Sequence, residues 1–449
     1  MNKFKKLLSD MRSSFWFVPS LIVAVSSAFA VVLIGADSIQ GDRWLARWPH
    51  LFGASAAGAR GILSTIAGSM MTVVGITFSM TLVTLALASS QYTSRILRNF
   101  MRDRVTQVVL GIFAGIFTYC LIVLRTIRDV SAGGFVPGLA VSFSVVLAIG
   151  SIGALIFFIH HIASSIQASR LIASVADETM AAIDRLFPGN LGKGPFDEDG
   201  DQAAPPLPER NWHAVPANRN GYIQSVDNEA LLSLAREHAT IVRMEQGIGD
   251  FVVHNTPLAS LALDAPPDQE TIAALQATFS ISRYRTLLQD SAFGIRQIVD
   301  MALRALSPGT NDTTTAIMCV DYLTAILARL VSCEIPSPLR YEEEELRVIT
   351  IGPTFASLVA ESFDQIRESA LGNVAIMLRM LGALQTIASL TTSKNRRQVL
   401  CDQAQCIAEL ARRTIESPHD RARFESRMAR VREALEVESA LCPGEENTN

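Results

Sequence analysis

Four long stretches without a single charged residue constrain this chain more than any other feature. Arg12 to Asp37 encloses 24 residues, Arg60 to Arg95 encloses 34, Arg104 to Arg125 encloses 20 and Asp129 to Arg170 encloses 40. A bilayer core of about 30 Å needs ~20 apolar residues in helix. The pattern therefore predicts membrane spans at about 15–34, 62–87, 105–124 and 135–159. The second and fourth stretches outrun a membrane, so their helices should continue beyond it. Soluble core helices are the alternative, but four such stretches in one third of a chain argue strongly for a membrane domain. A signal peptide competes for the first segment, because Ala28-Phe29-Ala30 follows a Lys-rich start. The apolar run continues through Ile34, past that cleavage-like site, and favours an uncleaved span.

Charge separates the chain into two parts. Residues 1–165 carry 13 basic and 5 acidic side chains, whereas the whole chain of 449 residues has a net charge of −4, leaving −12 on residues 166–449. One uniform globular domain, a disordered chain and a disulfide scaffold are excluded. The acidic second part would repel phosphate, so nucleic acid is not an expected partner. Lys3, Lys5, Lys6 and Arg12 precede the first span, and Arg95, Arg98, Arg102 and Arg104 crowd the connection between spans two and three. Basic residues mark cytoplasmic flanks. The expected location is thus a bacterial inner membrane, with multiple passes and both termini cytoplasmic. The arginine cluster could also meet anionic headgroups. Five of the six cysteines would then face a reducing compartment. Cys401 and Cys406 lack zinc-like partners, and no metal is assigned.

Span two has an unusual sorting of side chains. Gly61, Gly68 and Gly75 recur every seven residues, with Thr65, Ser69, Thr72 and Ser79 beside them. Leu63, Ile66, Met70, Val73 and Val74 occupy the other side, and Thr77, Thr81 and Thr84 form a second polar stripe. Small residues let helix backbones approach, so a helix–helix interface, within or between subunits, explains the glycine stripe. The sharper alternative is a hydroxyl-lined route for an ion or small solute through a homo-oligomer. Gly111 and Gly115 give span three a small-xxx-small pair. The predicted spans contain no Asp, Glu, Lys or Arg, which argues against proton-coupled transport and voltage sensing.

Beyond the spans, a helix should run from about Ile166 to Phe187, followed by a Pro/Gly-rich acidic linker. Residues 212–264 read as a small β-containing module: a strand at Gly221–Val226, a helix at Asn228–Glu237, a strand at 239–244 and a hairpin-like pair over 249–261. Gly249-Asp-Phe-Val-Val-His-Asn255 is similar to the signature of lipoyl- and biotinyl-type barrels, with Asn255 replacing a second glycine. No lysine occurs between Lys193 and Lys394, so the attachment residue is missing and a structural or interaction barrel is expected. From Asp268 onward the periodicity is helical, and Glu342–Glu345 reads as a solvated helix start.

One loop stands out, Ala305-Leu-Ser-Pro-Gly-Thr-Asn-Asp-Thr-Thr-Thr-Ala316. Pro308-Gly309 suits a type II turn, and Asn311 or Asp312 can cap the next helix. An anion or ligand site built from Ser307, Gly309, Asn311, Asp312 and Thr313 is the functional alternative. There is no phosphate loop, nucleophile elbow, zinc-protease motif or dinucleotide glycine run, so neither catalytic residues nor a cofactor is expected.

The runs Gly75-Ile-Thr-Phe-Ser-Met-Thr-Leu-Val-Thr-Leu-Ala-Leu-Ala-Ser-Ser-Gln-Tyr92 and Ser94-Arg-Ile-Leu-Arg-Asn-Phe100 resemble a family of bacterial predicted membrane proteins, domain of unknown function 2254. So do Gln289-Asp290, Phe293-Gly-Ile-Arg296 and Ala305 to Asp312. Where such relatives usually have Asn-Asp-Pro, this chain has Asn311-Asp312-Thr313. The resemblance implies topology and carries no catalytic residue. The expected architecture is mainly α: a four-helix transmembrane domain (1–165), a helical stalk and linker (166–211), the small α/β, barrel-like insert (212–264), a cytoplasmic helical domain (265–442) and a flexible tail (443–449). Expected partners are the lipid bilayer, further copies of the chain, and a cytoplasmic protein or small ligand. The alternative function is a membrane-anchored scaffold or sensor.

Overall fold

The computed structural model describes residues 16–40, 55–91, 103–128, 135–165, 167–186, 210–333, 335, 337–342 and 345–436. Most of the 166–211 linker and the whole 443–449 tail lie outside the described residues. The protein is mainly helical, with thirteen helices and eight strands among those residues. It divides into two compact units, Met1–Arg170 and Leu171–Asn449.

The first unit consists of α1 (Phe17–Gln40), α2 (Ala56–Gln91), α3 (Arg104–Thr126) and α4 (Gly138–Ser165). All four are long and apolar enough to cross a membrane. At 1.5 Å per residue, α2 is roughly 54 Å long, well beyond a hydrocarbon core. Helix α3 is central: α1, α2 and α4 all pack on it. Its glycine pair sets the closest crossing. A Cβ at Gly111 would stand 2.7 Å from Ile22 Cδ1, and one at Gly115 would stand 2.6 Å from Ser26 Oγ. Phe113, Tyr119, Cys120 and Val123 fill the surrounding core, and the Tyr119 hydroxyl donates to the Ala140 carbonyl at 2.8 Å.

Two charged residues join helix ends across this unit. The Asp37 carboxylate accepts the Leu139 and Ala140 amides at 3.3 and 3.2 Å, capping α4 from another helix. Arg60 donates to the Ile127 carbonyl at 3.0 Å, just past the end of α3. Each charge opposes the partial charge of the helix terminus it meets. The expected first span stops at 34, but α1 runs on to Gln40 and includes Asp37. The amides of α4 supply the partners that make a carboxylate tolerable there.

The second unit contains nearly all of α5 (Ala168–Leu186), followed by a two-sheet module. One sheet has the order β1 (Trp212–Pro216), β5 (Pro257–Ala262), β3 (Val242–Met244), β8 (Glu345–Ile349), β7 (Leu339–Glu342); the other has the order β4 (Phe251–Val252), β2 (Gly221–Val226), β6 (Phe279–Ser282). Helices α6 (Asn228–Glu237) and α7 (Gln269–Thr278) complete it. Val215, Ile223, Leu231, Leu258, Leu261 and Leu275 lie in its shared core.

The module differs from the expected 212–264 segment in three respects. Strand β6 and the β7–β8 hairpin come from the region read as helical, and β8 pairs in parallel with β3. Glu342 and Glu345 therefore pair with each other beside the turn of a hairpin and do not start a helix; the alternation in Glu-Leu-Arg-Val-Ile follows the strand period. The expected hairpin-like pair over 249–261 is also split, because β4 pairs with β2 whereas β5 pairs with β1 and β3. Asn255, in the connection between them, has φ +69°, the left-handed conformation that glycine or asparagine tolerates best.

The remaining helices pack together: α8 (Ser291–Leu306), α9 (Thr313–Val331), α10 (Phe355–Ser369), α11 (Val374–Ala388), α12 (Lys394–Thr414) and α13 (Pro418–Glu436). Helix α9 is also long and apolar enough to span a bilayer. It carries Asp321, paired with Arg379, and Arg329, which meets Asp184 at 2.6 Å, and it packs against α8 and α11. Its hydrophobicity thus serves a protein core. Arg396 is buried and donates to the carbonyls of Val331 and Cys333 at 2.6 and 3.1 Å, closing the end of α9. Cys120, Cys319, Cys333 and Cys406 are free thiols.

Candidate functional site

Helix α2 sorts its side chains as the sequence suggests, and the structure adds a direction. Ala59, Leu63, Ala67 and Met70 are buried in the unit's core, together with Thr77 and Thr84. The second polar stripe therefore packs within the unit; Thr77, Thr81 and Thr84 donate to the carbonyls of Val73, Thr77 and Met80. At 100° per residue the Gly61–Gly68–Gly75 stripe lies on the opposite side of the helix. Gly61, Thr65, Gly68, Ser69, Thr72, Gly75 and Ser79 are all exposed. A Cβ at any of the three glycines would meet nothing within 4 Å. The Thr65, Ser69 and Thr72 hydroxyls donate to the carbonyls of Gly61, Thr65 and Gly68 at 2.8, 2.8 and 3.1 Å. Their protons are thereby engaged by the helix, and their oxygens remain available as acceptors.

The exposed side of α4 offers a comparison. It presents Val146, Ile149, Ile152, Ile156 and Phe157, side chains suited to lipid. Gly111 and Gly115, by contrast, are filled by α1. The α2 stripe combines the composition of a contact with no contact among the described residues of the subunit.

The loop between α8 and α9 is closed by its own hydrogen bonds. Ser307 donates to the Arg304 carbonyl at 2.7 Å, and the Thr310 amide returns to the Ser307 carbonyl at 2.9 Å. The turn is not type II: Gly309 has no positive φ, and Asn311 takes the left-handed position with φ +46°. Asp312 is the cap of α9, accepting the Thr315 amide at 3.0 Å and its hydroxyl at 2.5 Å. Those bonds hold its carboxyl below the usual carboxylate pKa. Thr313 accepts from Asn373 at 3.0 Å. Arg95, Arg98 and Arg102 lie outside the described residues, while Arg104 is the exposed first residue of α3.

Asp103 and His161 form a contact that sequence reasoning missed. Asp103 caps α3, accepts the Thr106 hydroxyl at 2.6 Å and lies 2.8 Å from His161 Nε2. Burial works to raise its pKa, but the bonds from Thr106 and His161 outweigh that and lower it. Aspartate just before an apolar helix signals the cap, but nothing local signals the histidine 58 residues away.

The segment Gln289 to Arg296 proves to be architectural. Gln289 grips Val226 at both backbone atoms, at 2.9 and 3.3 Å. Asp290 caps α8 and takes two hydrogen bonds from Arg285, at 2.8 and 3.0 Å, while that guanidinium stacks over Phe293. Gly294 admits Thr179 of α5; a Cβ there would stand 1.9 Å from the threonine hydroxyl. Arg296 pairs with Asp300 at 2.9 Å and Glu361 at 3.4 Å. Among the described residues, no three His, Cys, Asp or Glu side chains converge to hold a metal.

The model of a family described as "Predicted membrane protein (DUF2254)" matches residues 12–386, most of both units. Uncharacterised proteins of Mycobacterium bovis and Mycobacterium tuberculosis are 32% identical over 99% of this chain and 85% of their own length. No solved structure matches the chain. With four bilayer-length helices in the first unit and a match running through both units, the chain belongs to the DUF2254 family of predicted membrane proteins.

Proposed function

We propose that this is a multi-pass inner-membrane protein that self-associates through α2 and forms a route for an ion or small solute. The observation that carries this reading is the outward stripe of Gly61, Gly68 and Gly75, which among the described residues has nothing packed against it. Small residues at helical spacing favour close approach of a second helix. With their protons engaged on the backbone, Thr65, Ser69 and Thr72 present acceptor oxygens, which suit a cation better than an anion. The positive flanks of the spans orient both termini, and with them the acidic second unit, toward the cytoplasm.

The test has two readings. Gly68→Cys in native membranes should give disulfide-linked dimers on mild oxidation. Purified protein in liposomes should pass cations, and Ser69→Leu or Thr72→Leu should change that conductance. A monomeric protein that leaves liposomes impermeable would end the proposal. The second reading, a membrane-anchored scaffold or sensor, draws on the size of the second unit and would then take its place.

A further inference from the structure

The second unit contains a cavity of about 290 Å³ between the end of α5, the end of β2, β3 and the segments on either side of the β7–β8 hairpin. Its wall is largely apolar, with Leu186, Val226, Met244, Ile248, Ile335 and Ile351 contributing. Most polar groups on the wall are already engaged. Gln289 holds Val226, Thr350 donates to Pro338 at 3.1 Å, and Thr354 caps α10 by accepting the Ser357 amide at 3.1 Å.

Arg340 is different. It lies on the edge strand β7 and lines the same cavity. Among the described residues its side chain has neither an ion pair nor a hydrogen bond, although neighbouring charges are matched: Glu342 meets Arg236 at 3.5 Å, and Arg347 meets Glu345 at 2.5 Å. Arg340 is exposed, and partial desolvation where it borders the cavity lowers its pKa from the usual arginine value. An arginine at the mouth of an apolar cavity, with no counter-charge among the described residues, is placed to pair with an incoming anion.

We propose that this cavity binds a small organic monoanion, a carboxylate whose compact apolar body fills the cavity while its two oxygens pair with Arg340. The planar guanidinium matches a carboxylate in bidentate geometry. The cavity sits at the small end of ligand sites, and at roughly 30 Å³ per non-hydrogen atom it holds a body of about ten atoms. A dianion such as a phosphate monoester would bring one charge that nothing on this wall balances. The proposal concerns the second unit alone and does not depend on whether α2 conducts.

The experiment uses the full chain in lipid nanodiscs and titrates 4-phenylbutyrate, its neutral counterpart 4-phenylbutanol, and inorganic phosphate, read by calorimetry. The acid should saturate one site, bind about tenfold or more tightly than the alcohol, and resist competition by phosphate. Arg340→Gln should remove that preference while leaving alcohol binding unchanged, and Ile351→Trp should exclude both compounds by filling the cavity. Melting curves matching wild type establish that each variant is folded. Absence of saturable acid binding to wild type, equal binding of acid and alcohol, or an unchanged acid affinity in Arg340→Gln would each overturn the proposal.

Discussion

The two sets of glycines in the membrane unit should respond oppositely to one added methyl group. At Gly115 the methyl of alanine would stand 2.6 Å from Ser26 Oγ and 3.3 Å from Ser26 Cβ. Relieving that overlap requires α1 and α3 to separate by something near 1 Å, or Ser26 to leave its rotamer; such overpacking costs about 1–3 kcal/mol. The gain in helix propensity offsets at most about 1 kcal/mol of it. Gly115→Ala should therefore lower the stability of the detergent-solubilised monomer by about 1–2 kcal/mol. At Gly68 nothing lies within 4 Å of the new methyl, so only the propensity gain remains. Gly68→Ala should leave the monomer unchanged or stabilise it by up to about 1 kcal/mol. Unfolding by graded addition of a denaturing detergent, followed by circular dichroism, measures both. If Gly68→Ala unfolds as early as Gly115→Ala, the stripe on α2 is packed within the subunit and the reasoning about it fails.

Two other outcomes follow from the caps. Asp37→Ala removes the acceptor for the Leu139 and Ala140 amides and should cost about 0.5–2 kcal/mol, while Asp37→Asn should recover part of it; the same detergent titration decides, and no loss in Asp37→Ala would contradict the cap. Asp103 and Asp312 both have folded-state pKa values below the ordinary 3.8, so their stabilisation is complete above that value and is lost as pH falls through the lower, folded values. Melting temperature should accordingly drop below about pH 4, and less steeply in Asp312→Asn than in wild type.

What the sequence revealed depended on the range of the interaction. The four spans were legible because length and absence of charge are local properties, and the helix at Asn228–Glu237 was legible because Asp227 caps it immediately before an amphipathic run. The sorting of α2 could also be read, but not its direction: only the position of α3 decides which side of a helix is covered. Strands β7 and β8 were missed because Glu342 and Glu345 outweighed a short alternation, and their partner β3 lies far away in the chain. Asp37 and Arg340 escaped notice for a related reason. One finds its amides a hundred residues later, and the other is distinguished by its place at a cavity assembled from distant segments, which no window of sequence displays.

The parallel pairing of β3 with β8 has a consequence for how the protein is made. Residues 242–244 leave the ribosome long before residues 345–349. At ~5–20 residues per second, the roughly hundred intervening residues take about 5–20 s to synthesise. During that interval β3 can pair with β5, but its other edge has no neighbour, and open strand edges recruit other chains. Helices α8 and α9 are completed in the same window and can fold from local contacts alone. The sheet is thus closed last, by a hairpin arriving after the helices that precede it. A fragment ending at residue 264 would carry that open edge permanently and should aggregate where the full chain does not.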